Sequence, residues 1–239
     1  MDLTEGIDLS IYLFGQFERD VARAYQQILE SGSIVLDIGA NIGAHALPMA
    51  KLCGKQGAVH AFEPTVYAVN KLKENFNLNP DLQTSLSIHH ALLNADGLAF
   101  KSASIPSSWQ LNDVNGEEKH PQHGGSYKSI GAATPMTVDD FMEANRLDHL
   151  DLIKLDVDGN EWPVLQGAVA TINRFAPPIL MEFALDYNSD AFERILALLR
   201  DANYAAITLA KRQPLPLNLD FLRAVIPKDG SINVLLRQQ

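Results

Sequence analysis

The sequence predicts an α/β fold, with a mostly parallel sheet and helices on both faces. Three observations carry this. Short apolar runs of strand length alternate with stretches whose apolar residues recur at helical spacing. The first run leaves through an acidic residue and a glycine turn straight into a helical pattern, the strand–turn–helix unit of open α/β sheets. Strand and helix patterns then keep alternating with no internal repeat or linker, so 1–239 reads as a single domain.

Composition narrows the partners. The chain has 239 residues, 46% of them apolar, which is enough for one full core. Its formal charge is −10, which disfavours a nucleic-acid backbone, because that binding needs clustered Lys and Arg. The one cysteine, Cys53, cannot form an internal disulfide and fits a packed helix in a reducing compartment. No apolar run approaches the ~20 residues of a membrane-spanning helix. The start, Met1 to Glu5, lacks the basic and apolar regions of a signal peptide, so a cytoplasmic location is expected.

In chain order, 1–32 is an N-terminal helical segment, with Phe17, Val21, Ala24, Tyr25 and Ile28 at helical spacing and Gly32 as the break. Ile34 to Leu36 is the first strand, and Ala44 to Cys53 is the helix after its turn. Ala58 to Phe62 is the second strand, ended by Glu63-Pro64. A helix follows from about Thr65 to Asn75, with Val66, Val69, Leu72 and Phe76 on one face. Leu86 to Ala91 is the third strand.

The stretch 98–135 is rich in Ser, Gly, Asn, His and Pro, and a polar segment of that length is expected to be functional, as a lid or acceptor-binding piece. Thr137-Val138-Asp139-Asp140 resembles a capping box for a helix to Asn145. Leu152 to Gly159 is the fourth strand with its exit, backed by a helix bearing Trp162, Leu165, Val169 and Ile172. Pro178 to Phe183 is the fifth strand. Asp190 opens a helix bearing Phe192, Ile195, Leu196 and Leu199. Ala205 to Leu209 and Ile232 to Leu236 are the last two strands.

The first turn, Asp37-Ile38-Gly39-Ala40-Asn41-Ile42-Gly43, names the chemistry. A pyrophosphate needs Gly-x-Gly-x-x-Gly for close backbone approach, and here Asn41 stands between Gly39 and Gly43. Asp37 makes an anion still less welcome and suits a ligand with its own positive charge. Glu63, with Pro64 after it, closes the second strand, where a carboxylate can take both hydroxyls of a ribose. Ala91 ends the third strand, where the adenine should lie, and it and the following Leu92 are the candidate cofactor contacts there. The acid pair describes a pocket for S-adenosylmethionine (SAM). The plainer readings are a turn-stabilising side chain for Asp37 and a solvated strand end for Glu63.

The second constellation is Lys154-Leu155-Asp156-Val157-Asp158-Gly159-Asn160-Glu161. Lys154, Asp156 and Asp158 share one side of an extended chain. A buried Lys154 needs a carboxylate, from Asp156 or Glu182. Asp156 ends a central strand and is the first choice for a residue near a transferring methyl. Asp158 and Glu161 either line the pocket or cap the next helix. Glu182 ends the fifth strand facing the same crevice, and His45 starts the first crossover helix. The candidate bases are therefore Asp156, Glu182 and His45, in that order. His89 and His90 read as ordinary strand residues. His120 and His123 lack companion ligands at metal spacing, so no metal site is expected. Asp156 with Glu182 holding a Mg²⁺ is the exception to test.

On these residues the chain resembles the FkbM family of SAM-dependent methyltransferases. The matching pieces are Leu36 to Gly43, Ala61 to Pro64, Thr137 to Phe141, Asp151 to Glu161, Val164 to Ala168 and Ile179 to Glu182. The resemblance implies a Rossmann-like seven-stranded mostly parallel sheet with its seventh strand inserted antiparallel. It also implies methyl transfer to an oxygen, mostly of sugars, glycolipids or secondary metabolites, with Gly39, Asn41 and Gly43 at the methionine end and Glu63 on the ribose. Glu18 looks like a family position that could reach the methionine amino group. Asp158, where the family commonly has Glu, and Asn160-Glu161-Trp162-Pro163 are departures. Two other classes remain at this stage: an NAD-dependent oxidoreductase, which the glycine pattern opposes, and a SAM-binding domain without catalysis.

Overall fold

The computed structural model describes residues 1–98, 102–109, 111, 124–185, 189–227 and 230–239. Two helices lead in, α1 (Gly6–Phe14) and α2 (Arg19–Gln26). Then come β1 (Ile34–Ile38), α3 (Ala46–Cys53), β2 (Ala58–Phe62), α4 (Val66–Asn77), β3 (Leu86–His89) and β4 (Ala91–Leu93). The polar segment holds β5 (Ser104–Ser108), β6 (Ser126–Ser129) and the start of β7 (Thr134–Met136). Next are α5 (Val138–Ala144), β8 (Leu152–Leu155), α6 (Glu161–Gln166), α7 (Val169–Phe175) and β9 (Ile179–Ala184). The chain ends with α8 (Ser189–Asp201), β10 (Tyr204–Thr208), β11 (Pro214–Leu215), α9 (Leu219–Val225) and β12 (Ser231–Gln238).

The main sheet runs β11-β10-β12-β9-β8-β1-β2-β3. Strands β3, β2, β1, β8 and β9 are mutually parallel, and β12 lies antiparallel between β9 and β10. This is the expected seven-stranded arrangement plus one edge strand. The eighth, β11, pairs only Pro214 and Leu215 with β10, too short a run to announce itself in sequence.

Alternation along the strands builds a core on each face. Val35, Val59, Leu152 and Leu180 pack with Tyr25, Met49 and Ala50 of α2 and α3 on one face. Leu36, Phe62, Leu155 and Met181 pack with Phe141, Leu165, Ile172 and Leu196 on the other. Each fully buried Val, Leu, Ile, Phe or Met among them contributes about 1.5–3 kcal/mol of transfer free energy.

Three expectations shift. The N-terminal segment is two helices, because Gly15 turns left-handed (φ 75°) and leaves Phe17 between them. The third strand stops at His89; Ala91 and Leu92 move into β4, which pairs with β7 apart from the main sheet. Inside the polar segment, β5 and β6 form an antiparallel pair. Thr137 caps α5 as expected, its hydroxyl accepting from Asp140 N at 2.9 Å. Among the described residues, no helix is long and apolar enough to cross a membrane.

Candidate active site

The parallel strands all release their loops at one edge of the sheet, the usual ligand edge of an open α/β fold. After β1, Gly39 N and Ala40 N both donate to Phe62 O at 3.0 Å, which folds the turn over the end of β2. Gly39 has φ 83°, and a Cβ there would stand 1.8 Å from Asp156 O. Only glycine lets the turn after β1 pass that close to the exit of β8. Asn41 takes the left-handed region (φ 46°), and its Oδ1 accepts from Ile42 N at 2.8 Å.

The same turn holds Glu63. Asn41 N donates to Glu63 Oε2 (3.0 Å), while Thr65 N (2.8 Å) and the Thr65 hydroxyl (2.6 Å) donate to Oε1. Burial pushes this carboxyl up, and those three hydrogen bonds pull against it. A carboxylate accepts at about four positions, so one remains for a ribose hydroxyl. Glu63 faces a narrow slot of about 50 Å³ whose walls include Phe62, Pro64, Ala91 and Leu92. An apolar slot ending on a held carboxylate has the chemistry that an adenosine requires.

Beside it opens a cavity of about 470 Å³. Gly39, Asn41, Asp156 and Asp158 line both spaces. Glu18, Ala40, His45, Lys154 and Glu182 line the larger one, against an apolar side that includes Ile7, Phe17 and Trp109. Three non-glycine residues of this cavity sit in left-handed backbone, Glu18 (φ 39°), Asn41 and Asp158 (φ 50°). Such strain costs about 1–3 kcal/mol each and concentrates at functional sites.

Lys154 organises the charges. Its Nζ lies 3.1 Å from Asp156 Oδ2 and 3.8 Å from Asp37 Oδ1. Burial works to lower its pKa, but Asp156, Asp37 and Glu18 hold the ammonium above its ordinary range. Asp156 is the expected partner; the other is Asp37 rather than Glu182. Asp37 faces Lys154 in the β1–β8 register, is fully buried and lines neither cavity. It therefore faces Lys154 rather than either cavity. Burial raises its pKa and Lys154 opposes the rise.

Glu182 is pushed up to about 7, by burial and then by the Asp156 charge, against the pull of the Ser231 hydroxyl that donates to its Oε1. Asp158 is raised well above the carboxylate range by burial, then by Asp156, Glu182 and Glu161. Asp156, Asp158 and Glu182 each offer an oxygen within 4.8 Å of the others, a set able to hold a divalent cation. Glu161 lines neither cavity and folds back on the loop before α6, accepting from Gly159 N (3.1 Å) and Val157 N (3.4 Å).

His45 precedes α3, and its Nε2 donates to Glu18 Oε2 at 3.1 Å; Asn233 Nδ2 donates to the other Glu18 oxygen at 3.0 Å. Burial works to raise the Glu18 pKa, but His45, Lys154 and Asn233 hold it below its ordinary value. His89 stacks on Phe62, and His90 Nε2 donates to Pro64 O (2.9 Å) and Ile130 O (3.1 Å); both are structural. His120 and His123 lie outside the described residues.

Sequence reasoning missed Phe17, Trp109, Ser231 and Asn233. Asn233 carries no motif, and its meaning comes only from the β12–β9 register, where it faces Glu182. Glu5 was also missed. It is buried and accepts from the Tyr67 hydroxyl (2.9 Å), the Ser108 hydroxyl (2.7 Å) and Trp109 N (3.0 Å), which ties α1 to β5 over the cavity.

A sequence model of the Methyltransferase FkbM domain matches residues 37–206, most of the chain. The chain belongs to the FkbM methyltransferase family. That membership makes SAM the cofactor, in keeping with the held Glu63 and the acidic cavity beside it. The chain is 28% identical over 152 residues to the hexuronic acid methyltransferase AglP of Haloferax volcanii, covering 63% of this chain and 56% of that protein. It is 26% identical over 148 residues to the 2-O-methyltransferase NoeI of Sinorhizobium fredii, covering 59% of each. The chain thus spans less than two thirds of these relatives' length. Two solved structures share the fold. A methyltransferase FkbM from Methylobacillus flagellatus superposes with a TM-score of 0.50 at 18% identity, over 86% of this chain and 43% of that one. An rRNA methylase from Streptococcus thermophilus gives 0.51 at 12% identity, over 93% and 98%.

Proposed function

We propose that the chain is a SAM-dependent O-methyltransferase acting on a hydroxyl of a sugar, glycolipid or secondary metabolite. The observation that carries this is the pair of joined spaces: an apolar slot closed by Glu63, opening past Gly39 and Asp156 into an acid-lined cavity large enough for an acceptor. When bound, SAM supplies an activated methyl group on a positively charged sulfur. Glu63 holds the ribose, the 39–43 turn follows the methionine end, and Glu18 and Asp156 offer the negative charge that a cation needs.

The acceptor hydroxyl would give its proton to a base as its oxygen bonds the methyl carbon and the carbon–sulfur bond breaks, the electron pair leaving with S-adenosylhomocysteine. Asp156 already spends Oδ2 on the Lys154 ammonium at 3.1 Å. His45 already spends Nε2 on Glu18. Glu182, with its pKa about 7, is matched to neutral pH and becomes the first choice. Ser231 occupies Oε1, so Oε2 takes the proton. Trp109 and Ile7 place the polar segment and α1 on the acceptor side of the cavity, as walls that position the hydroxyl.

The reading is tested by SAM titration calorimetry, followed by a screen of glycans and hydroxylated metabolites that reads out S-adenosylhomocysteine. Binding of SAM with no product from any acceptor would leave a cofactor-binding domain without catalysis.

A further inference from the structure

Glu18 is held from two sides. It precedes α2 in left-handed backbone (φ 39°, ψ 73°), which a non-glycine residue keeps only where its surroundings over-determine it. Two groups distant in the chain fix its carboxylate. The buried His45 donates Nε2 to Oε2 at 3.1 Å. Asn233 donates Nδ2 to Oε1 at 3.0 Å, across 215 residues of sequence. Asn233 is itself firmly placed. Its strand, β12, is paired on both sides, and its carbonyl accepts from Leu209 N at 3.0 Å.

Two of the roughly four acceptor positions of Glu18 are thus taken and two remain. Its side chain stays 24% exposed where it lines the larger cavity. The carboxyl is held below its ordinary pKa, so it is an anion at neutral pH. The other acids of that cavity differ. Burial and the Asp156 charge raise Asp158 and Glu182, and Asp156 gives Oδ2 to Lys154. Gly39, Ala40, Asn41 and Ala44 line the same space, so an anion with open acceptor positions stands beside the turn that the methionine end follows. The group of that tail it can receive is the α-ammonium, a cation with three donors.

Resting on the methyl-transfer reading above, we propose that Asn233 is a positioning residue for the cofactor: from β12 it aims Glu18 at the α-ammonium of the methionine tail. Asn233 is not among the described residues that line the cavity, so it acts through Glu18.

The test compares S-adenosylhomocysteine with its desamino analogue, which differ by one ammonium and carry no sulfonium, by calorimetry on the full chain. Wild type should bind the first at least about tenfold more tightly. Glu18→Gln keeps oxygens for Asn233 and His45 and should lose most of that preference. Asn233→Leu and Asn233→Ala remove the amide with and without filling its place. In both, the preference should fall at least about fivefold while affinity for the desamino analogue stays within about twofold of wild type. Equal loss of both ligands in both Asn233 variants assigns Asn233 to the fold alone and overturns the proposal, as does an unchanged preference. A wild type without preference overturns the role of Glu18 and leaves methyl transfer standing. The expected affinities with no product in the acceptor screen support the positioning role and count against methyl transfer alone. No binding of either ligand by wild type overturns both readings.

Discussion

Replacing Glu182 by Gln should lower activity and raise stability at the same time, in a pH-dependent way. Gln keeps the side-chain shape and an oxygen for the Ser231 hydroxyl, but it cannot take a proton. Loss of a positioned general base costs about 10²–10⁴ in kcat. The stability effect follows from the raised pKa. A carboxyl displaced from 4.5 to about 7 makes its ionised form a burden on the folded state, equivalent to about 3 kcal/mol at most and about 2 kcal/mol after allowance for its remaining solvent contact. Below pH 4.5 the group is protonated in both states and costs nothing. Between 4.5 and about 7 the folded chain binds the extra proton, so stability falls as pH rises, and the whole loss is present above pH 7. The variant should therefore match wild type at pH 4 and unfold later than wild type at pH 8. The wild-type rate should rise through a pKa near 7, and that rise should vanish in the variant. Urea melts at both pH values and a kcat profile from pH 5 to 9 measure all of this. A variant with wild-type kcat, or a stability difference that is the same at pH 4 and pH 8, would refute the assignment.

Glu63→Ala removes the group set to hold the ribose and leaves the Asn41 and Thr65 N–H groups unpaired; SAM affinity by calorimetry should fall at least about tenfold, and wild-type affinity would count against the ribose role. The reaction is expected to need no metal, so activity should persist in EDTA; loss in EDTA restored by Mg²⁺ would instead give Asp156, Asp158 and Glu182 a metal to hold. Glu5→Ala strands two hydroxyls and one N–H, costs about 2–4 kcal/mol, and should raise hydrogen exchange across 6–14 before the rest of the chain; uniform exchange would show that α1 is not anchored there.

Much of the site was legible because local chemistry specified it. Gly39, Asn41 and Gly43 announced a turn with special backbone demands, and Asn41 does sit at φ 46° with its amide N on Glu63. Lys154 in a buried strand demanded a carboxylate, and Asp156 supplies one. What was not legible depends on register and on contacts distant in sequence. Asp37 precedes the turn and so suggested a ligand, yet the pairing of β1 with β8 sets it opposite Lys154. Glu5 and Ser108 meet only because α1 folds over β5. The two-residue β11 has no periodicity to find.

The same register explains how a residue that lines neither cavity can bear on the reaction. Asp37 helps keep Lys154 an ammonium in a buried position. That ammonium engages Asp156 Oδ2 at 3.1 Å. Asp156 in turn raises Glu182 and Asp158, next to burial itself the largest cause of their shifts. Adjacent strands thus carry a chain of contacts: Asp37 behind, Lys154 charged, Asp156 paired with it, Glu182 raised to about 7. Removing Lys154 would leave the fully buried Asp37 and the half-buried Asp156 without this partner, about 3–5 kcal/mol of destabilisation at most. Its place in a strand buried on both faces is therefore as much a condition of the proposed chemistry as of the fold.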